Sequence, residues 1–284
     1  MKRILILLAA AAALCACSQE KKVMARFVPE RSDDFVFENN LIAGRFYGKA
    51  LEGNPTSPGL DIWVKLPGKL VADEWYKGFL TESDEYYHHD HGGKDCYKVA
   101  VSLGGGASSP LIDGKLCFPA TNYRSWEIVE ESPEKVVFTL HYPQWQTPDS
   151  VMVALDKTVT VVPDTYFCAV EDVYTFEGTD TLAIAAGMNI HAALETVEKQ
   201  LVQPGRVAIW EHASDQTFEP EDGMLGVGVV MPDADGTALS EDGTHLLVWK
   251  YVTSDQPVRY SFGSCWSKGD IKTAQDWFEL VANR

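Results

Sequence analysis

Short runs of alternating or β-branched residues recur along the chain and predict many strands. The runs at 136–142 and 157–162 are especially rich in valine, threonine and aromatic residues, which favour strands. Turn dipeptides such as Asp113-Gly114 and Asp242-Gly243 separate these runs. The predicted strands cover residues 41–47, 60–66, 122–129, 136–142, 151–162, 167–176, 182–190, 205–211, 224–231, 245–252 and 259–265.

Only one long helical pattern stands out, at residues 273–282. There Trp277, Leu280 and Val281 fall on one face of a helix. Many short strands separated by turns argue against alternating βαβ units and favour a sandwich or barrel. The pattern therefore predicts an all-β fold of antiparallel sheets with a short C-terminal helix, built as a single domain over residues 26–284.

The first residues resemble a bacterial lipoprotein leader. Lys2 and Arg3 precede an apolar run at 4–14, which is shorter than the roughly 20 residues needed to cross a bilayer. We predict a signal peptide over 1–16, lipidation of Cys17 and a tether over 17–25. The alternative is an ordinary signal peptide that happens to contain a cysteine.

A lipid on Cys17 would hold the protein at a membrane surface without crossing it. Ser18 after this cysteine favours the outer membrane, so we expect an anchored lipoprotein that faces the periplasm or the cell surface. The membrane would be contacted through this anchor only.

Composition narrows the possible partners and the cysteine chemistry. The formal net charge of −17 argues against nucleic acid as a partner, and we expect a monomer. Four cysteines remain once Cys15 is cleaved with the leader and Cys17 is lipidated. They contain no CxxC motif, and they favour buried free thiols over one or two disulfides. These are Cys96, Cys117, Cys168 and Cys265.

The densest group of titratable residues is the segment at 86–98. Imidazole and carboxylate are common ligands of borderline metals, so His88, Asp90 and His91 could hold a divalent metal. Alternatively, a histidine next to a carboxylate could act as a general acid or base near neutral pH. A polar surface loop without a role is the third interpretation.

Eight tryptophans are many for this length, and some could stack on sugars. Most are expected in the core. Three that lie two residues from a cation are taken as the stronger candidates for ligand contact: Trp75, Trp126 and Trp266.

Five segments together resemble one family. They are Phe27-Val28-Pro29-Glu30-Arg31-Ser32-Asp33-Asp34-Phe35-Val36-Phe37-Glu38-Asn39-Asn40, Gly59-Leu60-Asp61-Ile62-Trp63, Tyr87-His88-His89-Asp90-His91-Gly92, Asp95 with Tyr97-Lys98-Val99, and Trp266-Ser267-Lys268. The family is a domain of unknown function found in secreted lipoproteins of polysaccharide-degrading bacteria, and it resembles the galactose-mutarotase-like superfamily. The resemblance covers nearly the whole mature chain, with a small departure at Val36-Phe37, where an aromatic-Trp pair is usual.

This resemblance implies a galactose-mutarotase-like β-supersandwich and a setting of uronic-acid polysaccharide degradation. It supplies no catalytic residues. The resulting hypothesis is a carbohydrate-active lipoprotein that acts on uronic-acid-containing oligosaccharides by lyase or epimerase chemistry; a hydrolase is the further enzyme class left open.

The candidate residues have distinct roles in this hypothesis. His88 or His91 would be the base and Tyr87 or Tyr97 the proton donor. Substrate contacts would come from Glu38, Asn39, Lys98, Arg124, Trp126 and Trp266. Two alternatives remain: a non-catalytic sugar-binding lipoprotein of a polysaccharide-utilisation system, and a structural lipoprotein with no small ligand.

Overall fold

The computed structural model describes residues 21–53, 58–191, 197–213 and 220–284. The predicted signal peptide and Cys17 lie outside these residues, and the first strand begins at Val23. Two α-helices are described, α1 (Ala72–Thr81) and α2 (Ala274–Ala282). The strands of the described residues are β1 (Val23–Val28), β2 (Asp34–Asn39), β3 (Ala43–Phe46), β4 (Leu60–Lys65), β5 (Gly93–Lys94), β6 (Ser108–Ile112), β7 (Lys115–Leu116), β8 (Ser125–Ser132), β9 (Lys135–Gln146), β10 (Met152–Val161), β11 (Phe167–Glu177), β12 (Leu182–Asn189), β13 (Val197–Gln203), β14 (Arg206–His212), β15 (Met224–Val230), β16 (Gly236–Leu239), β17 (His245–Val252) and β18 (Pro257–Trp266).

These strands form three antiparallel sheets. The largest has eight strands in the order β13-β14-β15-β18-β11-β10-β9-β8. One five-stranded sheet runs β1-β2-β3-β4-β5 and the other runs β16-β17-β12-β6-β7. The predicted all-β, sandwich-like fold of antiparallel sheets with a short C-terminal helix is confirmed, whereas membership of the galactose-mutarotase-like superfamily stays a prediction.

Both five-stranded sheets pack on the large sheet and share one apolar core with it. Phe37 of β2 lies 5.5 Å from Phe262 of β18 and 6.2 Å from Phe138 of β9, between ring centroids. Ile184 of β12 and Val227 of β15 belong to the same cluster. Because side chains alternate between the two faces of a strand, this core defines an inner face of the large sheet.

Helix α2 covers part of the opposite face of the large sheet. Trp277 stacks on Phe167 with 5.6 Å between ring centroids and packs with Trp210. The Thr273 side chain accepts a hydrogen bond from the backbone N–H of Asp276 and so caps the helix. This helix confirms the predicted one to within one residue.

Helix α1 was not predicted, because Gly78 interrupts its sequence and its two large aromatics are adjacent. Trp75 and Tyr76 are both buried, and Trp75 lies 5.1 Å from Trp63 between ring centroids. The expectation that Trp75 contacts a ligand is therefore wrong, since this side chain fills a second apolar cluster.

The four cysteines of the domain are free and buried, as favoured by the sequence. Burial raises the pKa of the Cys96, Cys168 and Cys265 thiols. In the part of the chain that is described, no helix is long and apolar enough to cross a membrane.

Candidate active site

The predicted metal ligands His88, Asp90 and His91 have separate partners. His88 Nδ1 lies 2.9 Å from the backbone oxygen of Asp95, while the His91 ring stacks on Tyr86 with 3.9 Å between centroids. Asp90 accepts a 2.8 Å hydrogen bond from the Lys268 ammonium. Across the described ranges no three histidine, cysteine or acidic side chains form a metal-binding group. The proposed metal site is therefore not supported.

Tyr87 is a core residue and not an accessible proton donor. It is 2% exposed, and its hydroxyl accepts a 3.2 Å hydrogen bond from Arg31. Arg45, which lies 5.1 Å from the Tyr87 ring centroid, is itself held by Asp61 at 2.7 Å and Asp95 at 2.6 Å. The histidine-rich loop thus covers a buried charge network.

Glu38 and Asn39 are also committed to the fold. The Glu38 carboxylate pairs with Lys65 at 2.5 Å and accepts hydrogen bonds from the first N–H groups of α1. Asn39 donates to two backbone oxygens and accepts from the N–H groups of Leu41 and Ile42. Both side chains are fully buried, so the expectation that they hold sugar hydroxyls is wrong.

The remaining predicted contact residues do not form one site: Arg124 and Trp126 are neighbours at the start of β8, whereas Trp266 lies on β18. Arg124 pairs with Glu52, and Trp126 is 40% exposed on β8. Trp266 on β18 is 2% exposed and donates through its indole N–H to the Asp222 backbone oxygen at 2.6 Å, so it is not an open stacking platform. Lys98 is exposed beside Tyr97.

Tyr97 leads to a group that the sequence did not reveal. Its ring packs edge-on against His191 with 4.7 Å between centroids, and its hydroxyl lies 3.0 Å from the Asn189 backbone oxygen. The Lys98 backbone oxygen accepts hydrogen bonds from both His191 Nε2 at 3.0 Å and Asn189 Nδ2 at 3.1 Å. Two predicted residues, Tyr97 and Lys98, therefore adjoin His191.

His191 forms a close pair with Glu211. Its Nδ1 lies 2.5 Å from Glu211 Oε1. Because the Lys98 carbonyl can only accept, Nε2 must carry a hydrogen atom. The short Nδ1–Oε1 contact then requires a second proton, either on Nδ1 or on the carboxyl group. The two groups are therefore placed as a hydrogen-bonded histidine–carboxylate pair, the arrangement that general acid–base catalysis uses.

The sheet register places Glu211 on the inner face at one end of the sandwich. Glu211 follows Val207 and Ile209 on the inward side of β14, at two-residue spacing. Its cross-strand neighbour is Leu225, whose own neighbour on β18 is Trp266. His191 comes two residues after the end of β12, and so reaches the same end from the facing sheet.

One oxygen of Glu211 is left for other partners. The side chain is 1% exposed, and Oε2 is buried without a hydrogen bond in the described part of the chain. A buried carboxylate oxygen without a donor is energetically unfavourable, and such groups often mark functional sites. His191 is 18% exposed, which gives the pair a route to solvent.

Two lysines near this end are already paired with acids. Lys94 forms a buried 2.7 Å ion pair with Asp222, and the Lys268 ammonium pairs with Asp90 at 2.8 Å. Lys98 is exposed and its backbone oxygen lies against His191, so its charge favours an anionic ligand near the pair.

A groove of about 680 Å³ is lined by residues that precede or follow this site in the chain, but not by His191 or Glu211 themselves. Its lining includes Val99, next to Lys98, and Ile190, next to His191. His245 also lines it, but its Nε2 accepts from the Leu103 N–H and its Nδ1 lies 2.8 Å from the Thr244 hydroxyl. Desolvation lowers the pKa of His245 to about 4, so this histidine is neutral and structural.

Sequence reasoning missed His191 and Glu211 because they are isolated and distant in the chain. His191 directly follows the predicted strand at 182–190, and Glu211 is the last residue of the predicted strand at 205–211. A glutamate in phase with inward-facing Val207 and Ile209 was the available signal, since an acid at a core position needs a partner.

By its fold and its site, the chain is an antiparallel β-sandwich protein with a largely buried histidine–glutamate pair. The chain belongs to the family described as Domain of unknown function (DUF4861), whose model matches residues 11–284.

A relative of this chain is the Uncharacterized protein P7 of Formosa agariphila, 29% identical over 274 residues. The match covers 90% of this chain and 65% of the relative, so the chain spans just under two thirds of that protein's length. Among solved structures, the 4-alpha-glucanotransferase of Thermococcus litoralis is similar over 87% of this chain and 40% of its own, with 7% identity and a TM-score of 0.36. We draw no functional argument from a likeness at this level.

Proposed function

We propose that this protein is a carbohydrate-active enzyme that moves protons on uronic-acid-containing oligosaccharides. The observation that carries the proposal is the His191–Glu211 pair, with its 2.5 Å contact and with Glu211 Oε2 lacking a hydrogen-bond partner in the described part of the chain. The exposed Lys98 next to the pair suits a sugar carboxylate. A surface lipoprotein of polysaccharide degradation, as expected from the leader and the family resemblance, fits this substrate class.

The pair would act as follows. The pair, which reaches solvent through His191, accepts the proton from the carbon next to the sugar carboxylate, and the two side chains share the positive charge that the pair gains. Lys98 stabilises the developing carboxylate-centred anion. The electron pair then either forms a C=C bond as the glycosidic oxygen leaves with a proton from His191, or takes a proton from water on the other face of the sugar. Tyr97 is 1% exposed and its hydroxyl donates to the Asn189 backbone oxygen, so it is not assigned as the acid. The first outcome is a lyase reaction and the second is an epimerisation.

The test is product analysis with neutral and uronic-acid oligosaccharides by mass spectrometry and proton NMR. An unsaturated product indicates a lyase, altered couplings at constant mass indicate an epimerase, and addition of water indicates a hydrolase. We expect the reaction with uronic-acid substrates and its loss in Glu211→Gln. The matched control is His141→Gln, which alters an exposed histidine–carboxylate pair with Asp156 elsewhere in the sheet. Equal turnover in Glu211→Gln and wild type would overturn the proposal.

A non-catalytic sugar-binding protein is the second candidate, because Trp126 is 40% exposed on the surface. That function predicts saccharide binding without any turnover across the same panel.

A further inference from the structure

A second groove lies between the edge strands of two sheets, away from the His191–Glu211 pair. It has a volume of about 660 Å³ and runs between β1 and β8, each the terminal strand of its sheet. Six strand steps separate β8 from β14 in the large sheet, or roughly 30 Å at about 4.8 Å per step. A ligand in this groove is therefore remote from the catalytic pair.

The floor of this β1–β8 groove is apolar. Ala25 and Phe27 alternate on β1, while Trp126 and Ile128 alternate on β8. The Trp126 ring is fixed from below by Phe27, at 5.7 Å between centroids and an interplanar angle of 25°. Phe35 lies against it at 5.5 Å. An indole held by two other aromatics is a rigid platform and loses little entropy when it binds a ligand.

Trp126 also presents a polar group, its indole N–H. Its side chain is 40% exposed, and its indole N–H has no hydrogen-bond partner within the described ranges. The exposed indole can thus cover the apolar face of a ring while its N–H donates to a neighbouring hydroxyl.

The rim of the groove carries paired charges. Arg26 bonds Asp73 at 2.8 Å, and Lys21 bonds Glu131 at 2.8 Å. Each cation is matched by an anion, so the groove offers hydrogen-bond donors and acceptors without net attraction for a charged ligand.

We infer that the β1–β8 groove is a saccharide-binding site for neutral sugar units, centred on Trp126 and separate from the site of chemistry. A pyranose has an apolar face for the indole and hydroxyl groups for the charged rim, which matches this arrangement of floor and walls. Such a site would hold a polysaccharide chain at the protein while the His191–Glu211 pair acts elsewhere on it. Sugar binding in this groove is independent of the proposed function; only the role of holding a chain for the His191–Glu211 pair rests on it.

Isothermal titration of the purified protein with cellohexaose, xylohexaose and mannohexaose tests the inference. We expect at least one of the three to bind, and Trp126→Ala to weaken that binding at least tenfold. Trp126→Phe retains a stacking surface and should stay within about threefold of wild type. The matched control is Tyr251→Ala, which removes another exposed aromatic, 59% exposed, outside the groove. Thermal unfolding of each variant establishes that it is folded.

Glu211→Gln separates this inference from the proposed function, because it should abolish turnover and leave hexaose affinity unchanged. Tyr251→Ala should bind as tightly as wild type. The inference is overturned if none of the neutral hexaoses binds, or if Trp126→Ala also binds as tightly as wild type. It is also overturned if Trp126→Phe fails to bind while folded, since stacking would then not explain the site. Binding of an extended peptide in place of sugars would show that the groove instead accepts a strand.

Discussion

The Lys65 ammonium lies 2.5 Å from the Glu38 carboxylate, and both side chains are fully buried. Glu38 also accepts hydrogen bonds from the backbone N–H groups of Val71 at 2.6 Å and Ala72 at 2.9 Å. One carboxylate thereby balances a buried cation and caps the N-terminus of α1. Because this glutamate joins β2, β4 and α1, its role is structural.

Glu38→Ala is expected to destabilise the protein by about 3–5 kcal/mol, since it leaves the Lys65 charge buried and unpaired. Guanidinium unfolding followed by circular dichroism measures this change. The matched control is Glu131→Ala, whose side chain is 50% exposed in its pair with Lys21. The control should change the free energy of unfolding by less than about 1 kcal/mol. Equal stability of the two variants would contradict the structural role.

His245 is expected to make stability fall in acid. Its folded pKa of about 4 lies below the ordinary value of 6.5, so the folded state binds fewer protons than the unfolded chain between these values. Its contribution is therefore complete above about pH 6.5 and is lost as the pH falls towards 4, for a total of about 3 kcal/mol. His245→Gln should flatten the dependence of unfolding free energy on pH across this window. An unchanged slope in that variant would show that His245 is not the cause.

Metal ions are expected to have no specific effect at the 88–91 loop. A ligand present at 100 times its Kd would stabilise the fold by about 2.7 kcal/mol. His88, Asp90 and His91 contact Asp95, Lys268 and Tyr86 separately, so Zn²⁺ should not raise the unfolding temperature and EDTA should not lower it. Differential scanning fluorimetry measures both. Stabilisation by Zn²⁺ that disappears in His91→Ala would restore the metal hypothesis.

The four domain cysteines are expected to react only after unfolding. Cys96, Cys168 and Cys265 are at most 4% exposed, and burial raises the pKa of each thiol, so little thiolate is present in the folded protein. Ellman's reagent should therefore label them slowly in buffer and fully in guanidinium. Reducing agent should not change the unfolding midpoint. A drop in that midpoint on reduction would indicate a disulfide.

The sequence predicted the fold better than the site. Strand runs such as 245–252 and 167–176 correspond closely to β17 and β11, because β-branched and aromatic residues alternate there as a half-buried sheet requires. Helix α1 escaped prediction because Gly78 and the adjacent Trp75 and Tyr76 obscure its period. Local patterns therefore determine most strands but not every helix.

The candidate site could be predicted only in part, since it depends on contacts between distant segments. Tyr97 and Lys98, predicted as proton donor and substrate contact from their place in a titratable loop, adjoin His191. Tyr97 is 1% exposed and donates to a backbone oxygen, and the role of Lys98 stays a prediction. His191 and Glu211 are 20 residues apart and meet only through sheet packing. The tight clustering of His88, Asp90 and His91 was misleading, because sequence proximity does not make side chains converge.

We expect acid–base chemistry at His191 and Glu211 and not at the 88–91 loop. The measurement is kcat on a uronic-acid oligosaccharide that the wild-type protein turns over, compared between two pairs of variants. Glu211→Gln and His191→Asn should lower kcat by about 10²–10⁴, the usual contribution of a general acid or base, while His88→Ala and His91→Ala stay within about threefold of wild type. Loss of turnover in the His88 or His91 variant, with kcat retained in Glu211→Gln, would instead assign the chemistry to the 88–91 loop.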